Sequence, residues 1–317
     1  MAVDNINLAG LKIGHAADEQ FNTGCTVFLC PPETVGGVDA RGPAPGSREL
    51  TLLELDKPIQ TVHAVLLTGG SAFGLAAADG IMRYLGERDI GHWTPIRRIP
   101  IVPAAVVYDL FFSQGQRMPD ADMGYQACLN ASETEFAQGN VGVGMGVTVG
   151  KWGGREGFMK GGFGLACVEQ EGLVVGAAAV VNAIGDVVNE DGSVLAGARH
   201  PDGGWLVAGN PYRRFAPRPL PTPSTLTNTT LVVVWTNAVL TKVEANRLAQ
   251  RAHDGLAIAI RPVHTTHDGD VAFALATGQV EANFDLVANT AVHATAAAIR
   301  NSVCFARSVG DIPGLAV

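Results

Sequence analysis

The tetrapeptide Thr227-Asn228-Thr229-Thr230 sets a hydroxyl residue between a proline-rich approach and the apolar run Leu231-Val232-Val233-Val234-Trp235. The approach is the kind of loop that stays exposed, and the run reads as a buried strand. A cut before Thr229 would give that residue a free α-amine, so one residue would carry both a nucleophilic hydroxyl and the base that activates it. The same residues also serve as an ordinary polar strand entry with a Thr turn. A second group, His264-Thr265-Thr266-His267-Asp268-Gly269-Asp270, gathers two histidines and two carboxylates in one short loop. These are metal-ligand types, but the spacing fits no zinc pattern and Asp-Gly-Asp is equally a turn. Asn182 ends the apolar run Ala177-Ala178-Ala179-Val180-Val181, so its amide stands where a strand surfaces. Tyr108 lies inside the apolar stretch 99–112, where a tyrosine is more often core than catalytic.

Two glycine-rich turns invite comparison with anion-binding loops. Leu67-Thr68-Gly69-Gly70-Ser71 passes from a strand into a helical pattern ending near Glu87, a geometry that offers N–H groups to an anion. Ser71 does not make a nucleophile elbow, because the second glycine falls at 74 and not at 73. Gly139 to Trp152 has Gly-x-Gly spacing but continues into β-branched residues without a phosphate-loop Gly-Lys-Ser/Thr, so a glycine-lined strand ending at Lys151 is expected. A non-catalytic protein binding an anionic ligand at one of these turns is the alternative of another class.

The elements that must position these residues follow from periodicity. Buried strands are expected at 24–30 and 62–68, with a surface loop at 38–49 between them, and a helix at 120–133. A hairpin is expected from 162–170 and 173–182 across Glu171-Gly172. Six prolines from Pro201 to Pro223 break the pattern, so 189–225 reads as an exposed excursion, partly disordered near its end. Beyond it come a strand at 230–236, a helix opened by the Thr241/Glu244 capping box and running to about Ile260, a strand at 270–276, and helical spacing from Phe284 to the end. Strands and helices of both segments suggest an α/β (α+β) fold of stacked sheets in a four-layer α/β/β/α sandwich.

Composition bounds the partners. With 317 residues, 47% hydrophobic and 16% charged, the chain has ample core for one large domain or two small ones. A net charge of -8 and no block of Lys or Arg argue against nucleic acid. Residues 1–20 show no secretory signal, and the longest candidate membrane run, Gly172 to Val181, falls far short of the roughly 18 residues a span needs. Five cysteines at unrelated spacings fit reduced thiols in a cytoplasmic protein.

Taken in order, Val38-Asp39-Ala40-Arg41-Gly42, Leu67-Thr68-Gly69-Gly70-Ser71, Val107-Tyr108-Asp109, Gly150-Lys151, Val181-Asn182, Asn228-Thr229-Thr230 and the 264–270 motif resemble one family over nearly the whole chain. It is the self-processing N-terminal-nucleophile hydrolases that include the L-aminopeptidase/D-esterases, the β-peptidyl aminopeptidases and the 6-aminohexanoate-oligomer endohydrolases, or nylon hydrolases. The Asn228-Thr229 junction, Lys151 and the Asp268/Asp270 pair resemble the nylon hydrolase branch, whereas the aminopeptidase branch typically cuts between Gly and Ser. The resemblance implies a single catalytic domain, 1–317, cut into 1–228 and 229–317, assembled as a tetramer of cleaved heterodimers, with no metal or organic cofactor. It implies Thr229 as nucleophile and base, Asn182 as oxyanion donor through its side-chain N–H, Tyr108 and Lys151 as groups that place substrate or tune the nucleophile, and Asp268 and Asp270 as orienting carboxylates. The implied reaction is endo-type hydrolysis of linear amides such as 6-aminohexanoate oligomers, with aminopeptidase/D-esterase or β-peptidyl aminopeptidase action on short peptides as the alternative.

Overall fold

The computed structural model describes residues 6–200, 203–207 and 228–317. The chain opens with an antiparallel hairpin of β1 (Lys12–Asp18) and β2 (Thr23–Leu29), in register from Lys12 opposite Leu29 to Asp18 opposite Thr23. β3 (Val35–Ala40) crosses to another sheet, and β4 (Ser47–Arg48) returns. The expected surface loop at 38–49 therefore has strand at its two ends, 38–40 and 47–48; β3 escapes the pattern because Gly36 and Gly37, just before that stretch, carry no side chain to report a buried face. β5 (Ala64–Thr68) and β6 (Ala104–Val106) then pair in parallel, which requires a crossover, and α1 (Ala77–Gly86) lies in it. The first sheet has the order β1-β2-β5-β6-β4. α2 (Leu110–Ser113) and α3 (Ala121–Leu129) follow, the latter capped by Asp120, whose carboxylate accepts from the Met123 N–H at 2.9 Å.

The glycine-lined strand expected up to Lys151 is not formed. Only β7 (Thr148–Val149) is strand, paired with β8 (Met159–Lys160), while Gly142–Gly144 and Lys151–Gly153 are single 3-10 turns. Gly139, Gly142 and Gly150 adopt φ of 81°, 49° and 73°, which an extended strand does not tolerate. β9 (Phe163–Gln170) and β10 (Leu173–Asn182) make the expected hairpin; Glu171 and Gly172 both have positive φ, as a two-residue primed turn demands. β11 (Asp186–Val188) precedes the stretch 189–225 expected to be an excursion, and β12 (Val194–Ala196) lies within it, so that stretch holds a short strand; 201–202 and 208–225 lie outside the described residues. β13 (Thr229–Ala238) leads to α4 (Lys242–Ala259), whose capping box has both reciprocal bonds. β14 (Ile260–Arg261) joins β11 and β12 in a small sheet, and β15 (Val271–Val280) and α5 (Phe284–Cys304) complete the chain, with turns beyond 304 where helix was expected. The second large sheet runs β3-β15-β13-β10-β9.

Alternation along the strands builds the layers. In β13, Leu231, Val233 and Trp235 join Phe28, Val65 and Leu67 of the first sheet in a fully buried inter-sheet core. Val232 and Val234 point the other way, with Ala272 and Ala274 of β15, beneath Leu248, Ala252 and Leu256 of α4 and Ala291 and Ala298 of α5. The residues facing these helices are small, which lets α4 and α5 lie close on the sheet. Cys25, Val27 and Leu66 cover the outer face of the first sheet against α1 and α3. The result is the α/β/β/α sandwich, with β13 at the middle of its sheet and its first residue at one end of it.

Candidate active site

Three chain segments meet at the start of β13. The first is the end of β10, where Asn182 is the register partner of Thr229. The second is the turn 264–270 that enters β15, held beside β13 because Asn228 bridges Asp268 in parallel and the Gly269 N–H donates to the Asn228 carbonyl at 2.9 Å. The third is the exit from β3, where the N–H groups of Arg41 and Gly42 donate to the Asp270 carbonyl at 3.0 and 3.1 Å. An added Cβ at Gly42 would stand 2.1 Å from the Asp270 nitrogen, so glycine is what permits this approach.

Thr229 is 7% exposed, and its hydroxyl donates to the carbonyl oxygen of Asn228 at 2.5 Å. Asp270, fully buried, accepts the Thr230 N–H at 2.6 Å through one oxygen and meets Nδ1 of His264 at 2.7 Å through the other. Asp268 accepts both the N–H and the hydroxyl of Thr265, at 2.7 and 2.6 Å. Burial raises the Asp268 carboxyl above its usual range, the charge of Asp270 adds to the rise, and the Thr265 bonds and Lys151 oppose it. Lys151 donates to the Asn182 carbonyl at 3.0 Å and to its side-chain oxygen at 2.6 Å. Burial lowers the Lys151 ammonium to about 7, against the charge of Asp268.

Thr229, Asn182, Lys151, Asp268 and Asp270 therefore converge. Tyr108 joins through its backbone, its carbonyl accepting from the Asn182 amide at 3.2 Å. The Asn182 amide N–H donates to Tyr108 while its Oδ1 accepts from Lys151 and from the Thr148 N–H at 3.1 Å, and the Gly269 N–H is a main-chain donor on the Asn228 carbonyl. The Lys151 turn is tied to the strand following Asn182: Gly150 N–H to Gly185 at 3.0 Å, Trp152 N–H to Ile184 at 3.2 Å, and the Trp152 indole N–H to Asp186 at 2.8 Å. Sequence reasoning did not single out Thr265 or His264 as supports, although a threonine three residues before an aspartate is a local turn signal. Nothing in the sequence pairs Trp152 with Asp186.

The other chemistries fare differently. Among the described residues no cluster of three or more His, Cys, Asp and Glu side chains is placed to hold a metal ion. At the Gly69-Gly70 turn, the Gly70 N–H is already taken by the buried carboxylate of Asp109 at 2.6 Å, which also accepts from the Thr23 hydroxyl at 2.6 Å. The place an external anion would occupy is filled by the chain's own carboxylate. No helix among the described residues is long and apolar enough to cross a membrane.

This layering, with a threonine leading a central strand, places the chain in the class of N-terminal-nucleophile hydrolase folds. It superposes with a TM-score of 0.72 and 18% identity, over 99% of this chain and 91% of the other, on the L-aminopeptidase D-Ala-esterase/amidase of Ochrobactrum anthropi, described as a variant of the Ntn hydrolase fold. The chain belongs to peptidase family S58, whose family model matches residues 6–316, and is accordingly a hydrolase of amide or peptide bonds. It is 42% identical over 288 residues to an uncharacterized aminopeptidase of Mycobacterium tuberculosis, covering 86% of this chain and 81% of that one. With the 6-aminohexanoate-oligomer endohydrolase of Paenarthrobacter ureafaciens it shares 32% identity over 277 residues, 86% of this chain and 74% of that one.

Proposed function

We propose that this chain is a self-processing amide hydrolase whose nucleophile is Thr229, freed as an N-terminal residue by cleavage after Asn228. The observation that carries this is the 2.5 Å approach of the Thr229 hydroxyl to the Asn228 carbonyl oxygen, on a carbonyl already polarised by the Gly269 N–H at 2.9 Å. In processing, the Thr229 oxygen attacks the Asn228 carbonyl carbon, negative charge gathers on the carbonyl oxygen facing Gly269, and the C–N bond breaks as the nitrogen takes up the hydroxyl proton. The resulting ester is hydrolysed by water, giving 1–228 and 229–317. In turnover the new α-amine, with an ordinary pKa of about 7.7 to 8.0, takes the Thr229 hydroxyl proton in its neutral form. It returns that proton to the departing amine of the substrate. Asp268 and Asp270 hold the turn beside the nucleophile, and Lys151 fixes Asn182 and adds positive charge near the amine. Tyr108 holds the Asn182 amide through its carbonyl. No cofactor enters this scheme.

For substrate, the reading is endo-type cleavage of linear amides such as 6-aminohexanoate oligomers, supported by the 32% identity to a protein of that activity and by the Asn-Thr junction. A second reading, removal of N-terminal residues from short peptides, is favoured by the 42% identity to a protein named an aminopeptidase. Intact mass spectrometry of the purified protein is expected to show two pieces meeting at Asn228/Thr229, and Thr229→Ala is expected to stay whole and inactive. A fully active, uncut chain refutes the proposal. Assay of 6-aminohexanoate oligomers beside amino-acid p-nitroanilides separates the two substrate readings. Five free cysteines, with no disulfide among them, support a cytoplasmic setting.

A further inference from the structure

We propose that His264 is a positioning residue of this active site: it holds the Asp270 carboxylate and, through it, the backbone that presents Thr229. The inference rests on the reading of Thr229 as nucleophile. One Asp270 oxygen accepts from the Thr230 N–H at 2.6 Å, and the other meets His264 Nδ1 at 2.7 Å and the His264 backbone N–H at 3.3 Å. The carboxylate oxygen is the acceptor in this contact, so Nδ1 carries the proton that the two share. Nε2 is buried and meets no hydrogen-bond partner among the described residues. The ring packs edge-on against His253 at 4.8 Å between centroids, and His253 in turn meets the Asp39 carbonyl at 3.0 Å.

Two features of His264 cost stability locally. Its backbone is left-handed, with φ of 53°, a region unfavourable for a side chain of this size. Its ring leaves a buried nitrogen unsatisfied, which an apolar residue of similar volume would not. The Nδ1 bond is what this residue supplies in return, and it is made to the carboxylate that fixes the residue following the nucleophile. Without it Asp270 keeps only main-chain partners, the Thr230 N–H on one oxygen and the longer His264 N–H on the other, and the carboxylate is held less firmly against the Thr230 amide. Sub-ångström drift of Thr229 against the bond it attacks is enough to slow an intramolecular reaction steeply.

The substitutions that test this separate strain from hydrogen bonding. His264→Gly relieves the left-handed backbone and removes the donor; His264→Asn tolerates the same backbone and carries an amide N–H near the place of Nδ1. His264→Gly is expected to lower both the rate of self-cleavage and kcat by about tenfold to 100-fold with KM changed less than about twofold, and His264→Asn to recover most of that loss. Equal rates for wild type and His264→Gly, or no recovery in His264→Asn, overturn the proposal. A second measurement needs no cleavage: in the Thr229→Ala chain, the Thr230 amide proton is expected to resonate far downfield and to move upfield when His264→Gly is added. An unmoved resonance overturns the positioning role. Absence of cleavage in an active wild-type chain sinks the reading of Thr229 instead, and leaves this resonance test standing.

Discussion

At the scale of single residues, the proposed chemistry depends on how charge is placed around one amine. On the proposed reading the Thr229 nitrogen acts as a base only when neutral, and Lys151, bonded to the residue opposite Thr229, would favour that form by like-charge repulsion. Burial lowers the Lys151 ammonium to about 7, and its protonated fraction near neutral pH would hold the amine pKa below what the two carboxylates alone would give. Asp268 and Asp270 act in the opposite sense. Lys151→Met is therefore expected to move the acid limb of kcat/KM to higher pH, toward 8 or above, because the repulsion is gone and the carboxylates are unopposed. A pH–rate profile of processed enzyme checks this; an acid limb that stays in place, or shifts downward, removes Lys151 from the tuning of the nucleophile.

At the scale of elements, the proposed nucleophile is presented by the end of a strand clamped between two others. β10 sets Asn182 opposite Thr229, and the turn before β15 closes over Asn228 and Thr230 through Gly269 and Asp270. The exit from β3 presses on that turn at Gly42. In Gly42→Ala the new Cβ would lie 2.1 Å from the Asp270 nitrogen and 2.5 Å from the Asp268 carbonyl oxygen, so strand and turn must part. This is expected to cost about 1 to 3 kcal/mol of stability by overpacking and to slow self-cleavage by roughly tenfold or more, read as the fraction uncut by gel against time. The opposite expectation holds at the far end of the crossover. Thr241→Ala removes the α4 cap, where the Thr241 hydroxyl takes the Glu244 N–H at 3.2 Å. About 1 kcal/mol is at stake there, or a fall of roughly 2 °C in Tm, with cleavage rate unchanged.

At the scale of the whole molecule, the proposed cut at 228/229 would not release the smaller piece. β13 lies between β10 of the larger piece and β15, and β15 lies against β3 of the larger piece, so the second sheet is woven from both. Its core residues Leu231, Val233, Trp235 and Phe273 are wholly buried against both sheets. The two pieces are expected to elute together in native size-exclusion chromatography, at a size matching several cleaved chains, four by the family resemblance, and to part only in denaturant. Elution of the smaller piece alone under native conditions would mean that the cut severs the fold.

Much of this was legible along the chain. The hairpin at 171–172, the capping box at Thr241, the apolar run 231–235 and the helical spacing of 284–299 are local patterns set by local chemistry, and each gives the element read from it. The strand content of 35–40 and the turns of 139–153 were not legible, because glycine reports neither burial nor period. The types of the site residues and the place of the Thr229 strand entry were set by sequence alone. Which of them touch was decided in three dimensions: that Asn182 faces Tyr108 and Lys151, that Gly269 supplies the N–H on the Asn228 carbonyl, and that His264 holds Asp270. Hydrogen bonds between residues tens of positions apart, such as Lys151 to Asn182 and Thr230 to Asp270, exist only once two sheets have fixed the ends of their strands, and no one-dimensional pattern carries that distance.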